Sequence, residues 1–98
     1  MLLQIIMTGS FSDRNTEKFF GGERVREFAG FKKAAERKFE ILDNAEELVD
    51  LLVSPGNKFE KLSGNRNGQH SIRINDQWRV CFVWRKDGPY DVEITDYH

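Results

Sequence analysis

The chain ends Asp96-Tyr97-His98, a phenol and an imidazole side by side, and upstream of them stand Arg66, Arg73 and Arg79. An imidazole with an unperturbed pKa of about 6.5 takes or gives a proton near neutral pH. Guanidinium groups grip phosphate oxygens through paired, charge-assisted hydrogen bonds. Cleavage of a ribose phosphodiester needs a group to take the 2′-OH proton, a group to give one to the leaving 5′-oxygen, and positive charge on the phosphate as it becomes pentacoordinate. Tyr97 and His98 are candidates for the proton transfers, Arg73 and Arg79 for the charge, and Arg66 for binding in the loop that precedes them. Taken singly, each arginine also reads as half of a surface ion pair, His98 as a solvated chain end, and Tyr97 as a half-buried strand aromatic.

Charge is distributed unevenly. Residues 1–55 carry 8 Lys and Arg against 10 Asp and Glu, residues 56–86 carry 7 against 2, and residues 87–98 carry 4 acids and no Lys or Arg. The overall charge of -1 therefore hides a basic block flanked by acidic segments. Such a block is the footprint of a local phosphate site and not of a long duplex-binding surface. Lys58, Lys61, Arg66 and Arg85 lie in it and are the candidate RNA-binding residues; a solvated basic hairpin is the alternative on charge alone.

Other chemistries find little support. Cys81 is the one cysteine, so no internal disulfide forms, and a reducing cytoplasm fits. Its place among apolar residues reads as a small buried hydrophobe, not a nucleophile. His70 and His98 lack partners at zinc spacings, and no phosphate-binding glycine motif occurs, so neither metal nor cofactor is expected. The apolar opening Met1–Met7 has neither the basic start nor the cleavage site of a signal peptide, and nothing approaches a membrane span.

The elements that must position these groups follow from periodicity. At 98 residues the chain is expected to be one domain. Residues 5–11 read as a first strand, and Ser12 or Asp13 caps a short helix that Gly21-Gly22 stops. From Arg24 to Val53, Val25, Phe28, Phe31, Ala35, Phe39, Leu42, Leu48, Leu51 and Leu52 recur mostly at spacings of three and four. This predicts one long helix, interrupted at Gly30 and broken near residue 44, then a shorter helical piece. Its apolar stripe is core. After the turn cluster Ser54-Pro55-Gly56-Asn57, four strands follow: 58–62, 70–74, 78–84 and 91–97. Their connections are the loop 63–68, a tight turn at Asn75-Asp76 and a hairpin at Asp87-Gly88. The result is an α+β fold, with two or three N-terminal helices on one face of a curved antiparallel sheet and the first strand on an edge.

Alternation along the strands sets the faces. Trp78, Val80, Phe82 and Trp84 form the larger apolar set and turn toward the helices, leaving Arg79, Cys81, Val83 and Arg85 on the open face. On the preceding strand Ile72 and Ile74 face inward, so Ser71 and Arg73 face outward beside Arg79.

The stretch from Leu62 to Phe82, LSGNRNGQHSIRINDQWRVCF, together with the terminal VEITDYH of residues 92–98, resembles the HigB-type plasmid-maintenance killer proteins. The helical half, particularly Ala35-Glu36-Arg37-Lys38 through Leu42-Asp43, is similar too, so the resemblance covers residues 7–98. It implies a RelE-like microbial ribonuclease fold and a toxin that cuts messenger RNA on the translating ribosome. It also implies a partner, a HigA-like antitoxin with a helix-turn-helix domain, encoded beside the toxin. The family's loop arginine corresponds to Arg66, the arginine after its tryptophan to Arg79, and its terminal tyrosine and histidine to Tyr97 and His98. Better-studied relatives carry a histidine and a lysine where this chain has Glu60 and Ser63; Lys61 lies on the opposite strand face from Glu60. Residues 1–6 precede the family's usual start, which falls at Met7.

Two other classes stay open on sequence. A non-catalytic module could use the basic sheet face to bind RNA or a protein. An autorepressing, antitoxin-like protein would need a helix-turn-helix pattern, and none is visible.

Overall fold

The computed structural model describes residues 9–96. Its first helix begins where a carboxylate can hold the free backbone donors of a helix start. Asp13 accepts from the Thr16 backbone N–H at 3.2 Å and from the Thr16 hydroxyl at 2.6 Å, and α1 runs Arg14–Phe20 before the chain turns at Gly21-Gly22. Gly22 sits at φ 96°, a conformation suited to glycine.

The long helical stretch predicted for residues 24–53 divides into three pieces. Arg26–Phe31 is a tight 3-10 turn, α2 is Lys32–Asn44, and α3 is Leu48–Leu52. Regular helix begins only after Gly30, a residue that costs about 1 kcal/mol relative to alanine inside a helix. The tight turn places Phe28 and Phe31 against Trp78, with ring centroids 5.8 and 5.2 Å away. The predicted break near residue 44 is present: the chain extends at Ala45, and Glu47 and Asp50 form a reciprocal capping box that starts α3.

The remaining strands form a meander in the order β1 (Glu60–Lys61), β2 (His70–Arg73), β3 (Arg79–Arg85) and β4 (Gly88–Thr95), all neighbours antiparallel. The β1 strand is shorter than the predicted 58–62 because Lys58 takes a left-handed backbone conformation, φ 45°, which ends extended pairing before Glu60. The β4 strand starts earlier than predicted, since Lys86-Asp87 make the turn and Gly88 at φ 127° enters the strand. A bulge follows: Cys81 pairs with Glu93 but Val83 with Tyr90, with Asp91 at φ 52°.

Of the predicted first strand, the described part is Gly9–Phe11, where Phe11 bridges Val92 in parallel. Residues 5–8 of that strand, and 1–6 as an extension, lie outside the described residues. The segment is fastened to the bulge, with Ser10 donating to Asp91 and Ser10 and Ser12 exchanging backbone bonds with Val92.

Helices cover one face only. Ile72, Val80, Phe82, Val92 and Ile94 from the sheet meet Phe19, Phe28, Phe39, Leu42 and Leu51 from the helical half, all buried. Phe19 packs edge-on against Phe28 and Phe39. Where α1 crosses the outer edge of β4, Thr16 is fully buried and its hydroxyl accepts the Ile94 backbone N–H at 3.0 Å. That one hydroxyl donates to Asp13 and receives from the sheet, joining helix cap and strand edge. Thr16→Val keeps the shape but strands a buried N–H, at a cost of about 1–3 kcal/mol. Urea denaturation should show that loss; a variant as stable as the parent would contradict it.

Candidate active site

Strand register brings the two predicted phosphate-binding arginines together. Arg73 and Arg79 are direct cross-strand partners on β2 and β3, with Thr95 of β4 opposite Arg79. Ile72 and Val80, one residue on in each strand, are fully buried against the helices, so alternation sends both guanidiniums to the uncovered face. There they line an open groove of about 480 Å³ with Lys58, Glu60, Asn75, Asp76 and Gln77.

Each guanidinium is held. Arg79 donates from Nε to the Ser71 hydroxyl at 2.8 Å and from Nη2 to the Lys58 backbone carbonyl, and its Nε stands 3.9 Å from a Glu60 carboxylate oxygen. Arg73 is ion-paired to Asp76 in the β2–β3 connection. That connection is shaped by Asn75, whose side-chain oxygen accepts from the backbone N–H groups of Gln77 and Trp78, both at 2.8 Å. Gln77 then donates to Asp96 at 2.8 Å, tying the rim of the groove to the end of β4.

The opposite rim rests on the helical half. Asn57 is fully buried, donating to the Leu51 carbonyl at 3.0 Å while accepting from the Lys38 ammonium at 2.9 Å. Lys38 also donates to the Gly56 carbonyl at 3.2 Å. Burial first, then the nearby Arg37 and Arg73, pushes the Lys38 pKa down. This clasp precedes Lys58 directly and fixes where its carbonyl meets Arg79.

Arg66 lies one row along the same face, in the 3-10 turn Gly64–Arg66, bonded to Gln69 at 3.0 Å and to Glu93 at 3.2 Å. Lys61 pairs with His70 and faces away from Glu60, as alternation requires. Arg85 ends β3 at the far hairpin, its guanidinium 5.1 Å from the Tyr90 ring centroid. The six residue steps from Arg79 to Arg85 span roughly 20 Å of strand. Arg73, Arg79 and Lys58 therefore meet in one groove, whereas Arg66, Lys61 and Arg85 lie elsewhere. Tyr97 and His98 lie outside the described residues; β4 delivers the chain to the groove rim at Asp96.

Glu60, Ser71, Asn75 and Gln77 were not among the candidate site residues. Ser71 shares the parity of Arg73, and Asn75 precedes a turn, so both carried a usable signal. Asn57 gave none, because nothing in a turn-rich tetrapeptide marks a buried amide. Among the described residues no cluster of three His, Cys, Asp or Glu is arranged to hold a metal ion. His70 is stacked between Phe59 and Phe82, and burial, then Lys61, lowers its pKa.

The fold resembles solved RelE-like toxins. YoeB in the YoeB-YefM complex from Staphylococcus aureus superposes with a TM-score of 0.60 at 24% identity, covering 91% of this chain and 93% of that one. The YoeB dimer from the same organism gives 0.55 at 21%, covering 97% and 99%. Both are likenesses of fold. In sequence, Toxin HigB-1 of Vibrio cholerae serotype O1 is 40% identical over 80 residues, 80% of this chain and 84% of that protein. The family model described as the RelE-like toxin of type II toxin-antitoxin system HigB matches residues 9–98. The chain belongs to that family: it is a HigB-like toxin of a type II toxin-antitoxin system, and toxins of this kind are generally endoribonucleases that pair with an antitoxin.

Cys81 lies on the groove side of β3 yet is fully buried. Burial pushes its pKa from 9.0 up to about 11, with Arg66, Glu93, Arg79 and Glu60 grouped around it. At pH 8 the thiol should stay protonated, and alkylation of the native protein should run at least about 100-fold slower than in urea, since only the thiolate reacts. Comparable rates in the two states would contradict this packing.

Proposed function

We propose that the groove carrying Arg73 and Arg79 cleaves messenger RNA on the translating ribosome, without metal or cofactor, and so inhibits translation and growth in the cytoplasm. The whole of residues 1–98 then works as one toxin domain. The observation that carries this reading is the cross-strand pairing of two guanidiniums, each fixed by neighbours, in an open groove. Paired guanidiniums bind the non-bridging oxygens of a phosphate and gain strength as charge builds there.

The same groove offers a base. The Glu60 carboxylate lines it beside Arg79, at the position where better-studied relatives carry a histidine. It takes the proton of the 2′-OH as that oxygen attacks phosphorus. The bond to the 5′-oxygen breaks, and Tyr97 or His98 supplies the proton the leaving group needs. The products are a 2′,3′-cyclic phosphate and a 5′-hydroxyl end. Arg66 and Lys58 hold the flanking backbone, with Lys61 and Arg85 as outlying phosphate contacts. The antitoxin partner is a HigA-like helix-turn-helix protein encoded beside the toxin.

The test is single-turnover cleavage of a message on stalled ribosomes. Arg79→Ala should lose about 100- to 1,000-fold in rate, by comparison with removal of one oxyanion donor. Glu60→Gln should be slower and should lose the rise of rate with pH that a carboxylate base produces on the acid side. A wild-type protein that binds ribosomes but leaves every message intact would make the basic face a binding module and overturn the reading.

A further inference from the structure

The large apolar residues most exposed among the described residues are Val49, Leu52 and Val53, at 49%, 58% and 70% exposure. All three belong to α3 and its C-cap. At 100° per residue they share one arc of about 100°, while Leu51 on the other side is fully buried in the core. The arc lines no part of the groove and differs from it in chemistry. Asp43, Glu46, Glu47 and Asp50 stand beside it in the sequence, with no Lys or Arg between Lys38 and Lys58. Glu47 and Asp50 each accept a backbone N–H in the capping box.

An exposed apolar arc bordered by carboxylates has a definite complement: an amphipathic helix whose apolar side fills the arc and whose edges carry Lys or Arg. RNA does not fit, because the acidic border repels phosphate. A second copy of this chain does not fit well either. Its basic residues at 58–86 lie in the half of the chain that forms the groove and the sheet, where the exposed large apolar residues are absent among the described residues. We infer that α3 is the docking surface for the antitoxin, which presents a basic amphipathic helix to Val49, Leu52 and Val53. This rests on the membership of the chain in a toxin-antitoxin family and adds the surface and the chemistry of the partner that fits it.

The experiment uses the full chain and the product of the adjacent reading frame, coexpressed and then titrated as purified proteins. Leu52→Glu and Val53→Glu should each weaken the complex at least tenfold. Glu46→Lys should weaken it several-fold at low salt and less at high salt, as a screened charge contact does. Cleavage by all three variants should match the parent, because the groove is untouched and these side chains are exposed. Variants that bind the antitoxin as tightly as the parent would overturn the inference while leaving the toxin assignment intact. A parent protein that forms no complex at all would sink both. Concentration-dependent dimerisation of the parent, abolished by Leu52→Glu, would assign the arc to self-association and equally overturn the inference.

Discussion

Two like charges set directly opposite each other on neighbouring strands are unfavourable, by several tenths of a kcal/mol up to about 1 kcal/mol for an ordinary pair. Arg73 and Arg79 are in that arrangement, and much of the surrounding structure can be understood as the means of sustaining it. Asp76 neutralises one guanidinium; Ser71, the Lys58 carbonyl and Glu60 hold the other. Lys38 adds positive charge from the helical side. Under the proposed function, an anion seated between the two arginines relieves that repulsion, so the pairing that costs stability is also the one suited to a phosphate.

The helical half contributes more than a lid on the core. The Lys38–Asn57–Leu51 clasp ties α2, α3 and the segment before β1 into one unit. The Lys58 carbonyl that the clasp positions meets Arg79 on the third strand. On the opposite side, Thr16 joins α1 to the edge of β4. Both flanks of the groove are therefore anchored to helices, although no helix covers its open face. Ser71 and Cys81, beneath the groove side chains, are fully buried even though they belong to that face.

Much of this was legible in the sequence. Period-two alternation placed Ile72, Val80 and Phe82 inward and Arg73 and Arg79 outward, because one face of the sheet is covered and a register slip would invert every residue. The α1 cap, the break after Asn44 and the order of the meander were likewise local signals. What sequence concealed depends on contacts between distant residues. Lys58 at positive φ shortens β1, yet lysine gives no warning of that conformation. Gly30 signals only an interruption within a helix, whereas the packing of Phe28 and Phe31 on Trp78 keeps the preceding turn tight. Charge alone grouped Arg66, Lys61 and Arg85 with the groove residues. Pairing to Glu93, strand parity and distance along β3 separate them from it. Glu60 departs from relatives in sequence, but its place on the groove wall depends on the register of β1 against β2.

The central claim is that Arg73 and Arg79 act on one phosphate as a unit. A double-substitution cycle on single-turnover cleavage of a ribosome-bound message measures this directly. If the two guanidiniums share the scissile phosphate, Arg73→Ala and Arg79→Ala will each cost most of the rate, and the double variant will lie within about tenfold of the slower single one. Losses that multiply, as for two independent contacts, would contradict the account.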